Sequence, residues 1–140
     1  MTIRQPWAAA IAHASKRIEN RVWPTSHRGT LVIHAGGTLD RAAMRHPALA
    51  AVVRDLPLER GAVIAVAKLV GCHEDDGACT PWSMNGHYHF ELNDVLPLPL
   101  PVPCQGQQQM WFPTPAVLDR IRLQLSDEQA ARFLGEEAAL

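Results

Sequence analysis

The stretch Arg17-Ile18-Glu19-Asn20-Arg21-Val22-Trp23, followed by five residues and then by Gly29-Thr30-Leu31-Val32-Ile33-His34-Ala35, decides the class of fold. Both segments alternate with the period of a strand. In the first, Ile18, Asn20 and Val22 lie on one side and Glu19, Arg21 and Trp23 on the other. In the second, Val32 and His34 share a face opposite Leu31, Ile33 and Ala35. A parallel connection needs a crossover of a dozen residues or more, so five residues predict an antiparallel pair and argue against a doubly wound parallel sheet. The Gly36-Gly37 pair is expected to end the second strand.

Upstream, Pro6 suits the first turn of a helix over 6–14, with Trp7, Ala8, Ile11, Ala12 and Ser15 on one stripe of small and apolar residues. Downstream, Thr38 is a candidate N-cap for a helix over 39–55 that restarts at Pro47, with Leu39, Ala42, Ala43 and Ala50 on its apolar face. Ala62 to Val70 is dense in β-branched residues and reads as a central strand. A further strand is expected over His87–Val95, with Tyr88, Phe90 and Leu92 facing one way. The alternate prolines from Pro97 to Pro103 fit an edge strand or polyproline segment. Met110 to Phe112 is expected to close the sheet. Helices follow over 115–125 and 127–138, the last announced by the capping-box pair Ser126 and Gln129. Together these elements predict an α+β, mostly β domain, a small partly open barrel of five or six strands with flanking helices.

The 140 residues are 47% hydrophobic, enough for one globular domain that buries a core without disulfides or a structural metal. No apolar run is long enough for a membrane span, and no cofactor is implied. Cys72, Cys79 and Cys104 are odd in number and irregularly spaced, which fits a reducing cytoplasm better than a secreted disulfide framework. The formal charge of -1 argues against a nucleic-acid partner until it is resolved along the chain. Residues 1–46 carry seven basic side chains (Arg4, Lys16, Arg17, Arg21, Arg28, Arg41, Arg45) and two acids (Glu19, Asp40). From Leu69 to Asp119 there are six acids and no Lys or Arg. Such asymmetry fits a compact basic cleft for one nucleotide or a short single strand, rather than a groove along a long duplex.

Chemistry concentrates at the basic end. Glu19 and Arg21 project from one strand face, where the carboxylate can hold the guanidinium in a fixed orientation for an anion, and Lys16 stands at the end of the preceding helix. The plainer alternative is a surface ion pair worth about 0–1 kcal/mol. In a binding site Arg4, Lys16, Arg21 and Arg28 contact phosphate, and Trp23, on the Glu19/Arg21 face, is the aromatic surface for a base, whereas Trp7 reads as core. In a catalytic site Lys16 and Glu19 are the candidates for proton transfer or oxyanion contact. His34, among apolar residues, is more simply a hydrogen-bonded core histidine, with catalysis as the alternative. Cys72-His73, Cys79 and His87-x-His89 match no metal-ligand spacing, so no metal site is assigned.

The segments Ile3-Arg4-Gln5-Pro6-Trp7-Ala8, Lys16 to Pro24, Arg28-Gly29 and Ile33-His34-Ala35 resemble the ASCH domain (activating-signal-cointegrator homology), a β-barrel related to the PUA fold. The family signature G-x-K-x-x-E-x-R reads here Ala14-x-Lys16-x-x-Glu19-x-Arg21, with alanine in place of glycine at a helix C-cap. The resemblance extends through Gly61–Val70 to the proline run, Gly106 and Trp111. It therefore implies an ASCH domain over 1–112, with 113–140 a helical extension packed on the same domain. It also implies a module that binds or processes RNA, or binds a nucleotide or nucleoside, as a monomer or a dimer. Small members suggest a hydrolase alternative, either a ribonuclease or an N4-acetylcytidine amidohydrolase. The amidohydrolase pattern has a Lys, a Thr three residues on and a downstream Glu. Lys16 matches the first, Glu19 occupies the second, and the third falls only near Glu74, Asp75 and Asp76. A protein-interaction domain, working through 97–103 and the C-terminal helices, is the third possibility.

Overall fold

A computed structural model describes residues 1–75 and 80–135. In chain order the elements are β1 (Thr2–Gln5), α1 (Trp7–His13), β2 (Ile18–Arg21), β3 (Gly29–Leu39), α2 (Arg41–Met44), α3 (Pro47–Val53), β4 (Ala62–His73), β5 (Tyr88–Pro103), α4 (Pro115–Arg122) and α5 (Asp127–Phe133). The strands form one mixed sheet in the order β1-β3-β4-β5-β2, curled into a half-barrel with helices around it. The α+β, mostly β architecture expected from the sequence is the one observed.

Why the sheet is built around β3 and β4 follows from burial. Leu31, Ile33 and Ala35 of β3 join Ile64, Ala67 and Leu69 of β4 in the core inside the curl, with Ile3, Ile11 and Phe90. Val32 of β3 and Val63 and Val66 of β4 face outward, where Ile121, Phe133 and Leu134 of the C-terminal helices cover them. Strands apolar on both faces must be central, and β4 is the middle strand.

The two segments that open the argument are strands, but they are not a pair. β2 is antiparallel to the start of β5, with Glu19 opposite Phe90 and Arg21 opposite Tyr88. β3 has both of its edges occupied, by β4 in antiparallel register and by β1 in parallel. The short connector therefore spans the open side of the half-barrel. Five residues do rule out a crossover, but the expected pairing of β2 with β3 is not formed, because a short connector limits distance and not hydrogen bonding. β1 was not anticipated, and its pairing of Gln5 with Leu39 is what carries β3 through Gly36-Gly37, where a stop was expected.

Other boundaries shift for local reasons. Asp40, not Thr38, caps α2 by accepting from the Ala43 N–H, and α3 restarts at Pro47 as the proline predicts. Within α3 it is Leu49 and Val53 that are buried. The proline run lies in β5, beyond the part that β2 covers, so its second edge has no strand partner and the missing N–H groups cost little there. Leu100, in a register jump opposite Ile64, is held instead by the Gln124 side chain, which accepts from its N–H and donates to its C=O, each at 2.8 Å. Met110 to Phe112 is not a strand; Trp111 is buried as a packing residue. Ser126 and Gln129 form the expected capping box of α5. The helix ends at Phe133, with Leu134 as its C-cap, short of the expected 138; residues 136–138 lie outside the described residues.

Candidate functional site

The sheet order leaves β1 and β2 as its two edges, and the curl brings those edges face to face. Their backbones do not pair. Side chains span the seam instead: the Arg21 guanidinium of β2 donates to the Thr2 carbonyl of β1 at 2.7 Å. A cleft of about 210 Å3 opens at this seam, lined by Ile3 and Arg4 of β1, Trp7 of α1, Lys16, Glu19 and Arg21 around β2, and the segment from Trp82 to His87.

Its floor is a buried charged network. Lys16 is 1% and Glu19 6% exposed. The Lys16 ammonium donates to the Ile18 carbonyl and, at 3.1 Å, to Glu19 Oε1. The other oxygen, Glu19 Oε2, lies 3.0 Å from Arg21 Nε. One carboxylate thus holds two cations through separate oxygens. Neither cation is neutralised alone, and the trio keeps an excess positive charge. The Trp7 ring lies 5.7 Å from the ammonium, a cation–π contact that satisfies a further side of it. With Arg4 the lining has three cations against one carboxylate. Burying an ion trio is costly unless its polar contacts are complete, and here it lies at a cleft floor rather than in closed core, which makes the cleft the candidate site.

Local sequence explains the placement. Alternation along β2 puts Glu19 and Arg21 on one face. Ala14, which stands where the family signature has glycine, is extended at the C-cap of α1 (φ -129°), so alanine fits without strain. Arg17 donates to the carbonyls of Ile11, Ala14 and Lys16, closing the helix end from which Lys16 enters the floor. Gln5 caps the other end, accepting from the Ala9 N–H while donating to the Glu59 carbonyl.

Two walls were not visible in the sequence. Asp40 accepts from Trp7 Nε1 at 3.1 Å and lies 3.3 Å from an Arg4 nitrogen, so the cap of α2 also positions an aromatic and a cation of the cleft. Its hydrogen bonds from Ala43 and Trp7 hold its carboxyl below the ordinary carboxylate range. Asn20 donates to the Trp82 carbonyl and accepts from the Met84 N–H, each at 2.9 Å, and fixes the opposite wall. His89, fully buried, donates from Nε2 to the Met84 carbonyl at 2.8 Å and so braces the same wall. The only signal available for Asn20 was its position between Glu19 and Arg21.

Of the expected site residues, Arg4, Lys16, Glu19 and Arg21 converge here. Arg28 does not: it is exposed, outside the cleft, and donates to the carbonyls of Thr25 and His27 in its own loop. Trp7, read as core, packs on the core and also lines the cleft, whereas Trp23, with the Arg21 guanidinium 6.0 Å from its ring, packs edge-on against Phe90 at 5.2 Å and stands outside the cleft's lining. His34 lies apart, 1% exposed. Its Nε2 donates to the Cys104 carbonyl at 2.9 Å and its Nδ1 accepts from Thr2 Oγ1 at 3.2 Å, which leaves both ring nitrogens used. Burial pushes its pKa below the ordinary histidine value. Cys72 and Cys104 are free thiols, and burial pushes the latter up. His73 Nε2 and His89 Nδ1 lie 3.2 Å apart across β4 and β5, and His73 Nδ1 lies 3.6 Å from Glu91, but among the described residues no three His, Cys, Asp or Glu groups are placed to hold a metal ion. Asp76 and Cys79 lie outside the described residues.

A mixed half-barrel with flanking helices and a polar cleft at its seam is an architecture of the PUA-like class. The family model of the ASCH domain matches residues 1–114, and the chain belongs to that family. No curated protein matches it. Among the described residues no helix is long and apolar enough to cross a membrane.

Proposed function

We propose that the chain is a cytoplasmic RNA- or nucleotide-binding module, with its site at the β1/β2 seam and with residues 113–140 as an extension on the same domain. The observation that carries this reading is the Lys16–Glu19–Arg21 network. It is a prearranged positive floor, already desolvated and already oriented, beneath walls that contain Trp7 and Trp82. A phosphate or a polar base edge meets fixed N–H donors there without the entropy cost of ordering long side chains. The Arg21 guanidinium and Arg4 reach the ligand; Lys16 and Glu19 set the field and orientation behind them.

Fluorescence anisotropy with a labelled single-stranded RNA tests this. Arg21→Gln is expected to weaken binding about tenfold and to lower the salt slope by about one. Arg28→Gln is expected to do neither. Undiminished affinity in Arg21→Gln, or no binding by the wild type, refutes the proposal.

A hydrolase working in the same cleft is the second reading, and the observation that favours it is the direct Lys16–Glu19 contact in a water-restricted floor, a pair suited to proton transfer. It predicts products by mass spectrometry from short RNAs or from an N4-acylated cytidine, lost in Lys16→Ala. Binding without any product leaves only the first reading.

A further inference from the structure

The wall formed by Trp7, Trp82 and Met84 has a second side. Beyond it lies a groove of about 560 Å3, more than twice the volume of the polar cleft, and these three residues line both spaces. The far side of the groove comes from Ala43 of α2 and Leu49 and Val52 of α3, with Ser15 and His46 among its few polar members. Val52 is 43% and Met84 50% exposed, so large apolar side chains stand open to solvent beside two tryptophans. Its size falls within the roughly 300–1,000 Å3 usual for small-ligand sites.

Charge distinguishes the occupants that such a surface can take. Residues 40–55, the far wall and its two ends, hold Arg41, Arg45 and Arg54, all exposed and outside the groove's own lining, against Asp40, which faces Arg4, and Asp55. A purely apolar peptide or acyl chain has no use for three arginines. A nucleobase joined to a phosphate uses both features, because its π-face stacks on aromatic and aliphatic surface while its backbone lies against the cations. Continuity with the polar cleft gives the geometry of a strand path: one nucleotide over Arg4, Lys16 and Arg21, the next across the shared tryptophan wall.

We propose that the groove between α2, α3 and Trp82 is the subsite for a second base, so that the protein takes single-stranded RNA of two or more nucleotides in preference to a mononucleotide. This rests on the nucleotide reading of the neighbouring cleft and specifies its substrate class. Ser15 and His46 at the groove give its base edge hydrogen-bonding partners, whereas the affinity comes from stacking and is tolerant of base identity.

Titrations of tryptophan fluorescence with adenosine 5′-monophosphate and with the 5′-phosphorylated dinucleotide pApA separate the two levels. The dinucleotide is expected to bind about tenfold or more tightly than the mononucleotide. Ala48→Glu places a carboxylate in the groove at an exposed second position of α3, where an acid suits the helix N-terminus and the fold is kept. That variant, and Val52→Glu, are expected to reduce the ratio of the two affinities to about one, as loss of the stacking term requires. Equal affinities in the wild type, or a dinucleotide advantage untouched by both variants, overturns the base subsite and leaves the cleft reading standing, with the groove assigned to a protein partner. No binding of either probe overturns both.

Discussion

Two buried polar clusters meet at Thr2, and they are built on opposite principles. On one side the Thr2 carbonyl accepts from Arg21, tying β1 to a network of three charges that opens into a cleft. On the other, the Thr2 hydroxyl donates to His34 Nδ1 and accepts from the Trp111 indole and the Gln107 N–H, each at 3.2 Å. A hydroxyl offers one donor and two acceptor positions, so that centre is complete. It is also neutral, since His34 must leave Nδ1 unprotonated to accept. The His34 cluster also borders a cleft, of about 390 Å3, but its ring nitrogens and the Thr2 hydroxyl are already used within the protein, whereas the Lys16 cluster carries unneutralised charge at its opening. Burial of a titratable side chain alone does not identify a site; what distinguishes the two is whether every donor, acceptor and charge is already answered inside the protein.

The largest effect is expected from Glu19→Ala. It leaves two cations at the cleft floor without their carboxylate and should cost about 3–5 kcal/mol in urea denaturation. The double variant Lys16→Met, Glu19→Leu should recover part of that loss, because only the partly exposed Arg21 is then left without its carboxylate, while abolishing RNA binding. A small cost for Glu19→Ala would mean that the trio is a surface ion pair and the contrast with His34 is false.

Acid tests the neutral cluster. His34 takes up a proton near pH 6.5 when unfolded and only at lower pH when folded, so between those values the unfolded state binds more protons. Its contribution is fully present above pH 6.5 and is lost as the pH falls below it, with a slope of at most about 1.4 kcal/mol per pH unit. His34→Gln should flatten the stability profile between pH 7 and pH 5 without changing RNA affinity at pH 7.5. An unchanged profile in the variant would assign the acid sensitivity elsewhere.

The smallest effect sharpens the comparison at the cleft wall. Asn20→Ala removes two hydrogen bonds to the segment around Trp82 and should cost about 1–2 kcal/mol of stability. Its affinity loss should exceed that of a core substitution of equal stability cost, as read by anisotropy.

The ease of reading the sequence follows the range of the interactions. Period-two alternation placed Glu19 and Arg21 together on β2, and the apolar density of 62–70 placed β4 in the middle, because both depend on neighbours in the chain. The capping box at Ser126 is equally local. The partners of β2 and β1 were not legible, since the antiparallel pairing with Tyr88–Glu91 and the parallel pairing with β3 are set by how the sheet curls. Which tryptophan reaches the cleft was not legible for the same reason. Trp7 sits on an alanine-rich helix that packs on the core, but it is oriented into the seam by Asp40, 33 residues away. Trp23 follows the polar face of β2, yet turns back onto Phe90 once the strand ends. Alternation shows which residues share a face, and only the closed sheet shows what that face meets.

Titration of 15N-labelled protein with a short single-stranded RNA, followed by amide and indole chemical shifts, tests the central assignment most directly. The account predicts the largest changes at Thr2–Arg4, Lys16–Arg21, Trp82–His87 and the Trp7 and Trp82 indoles, with little at Gln105–Gln108 beside His34. Shifts centred on the His34 cluster or on the outer face of α4 and α5, with the β1/β2 seam unmoved, would contradict it.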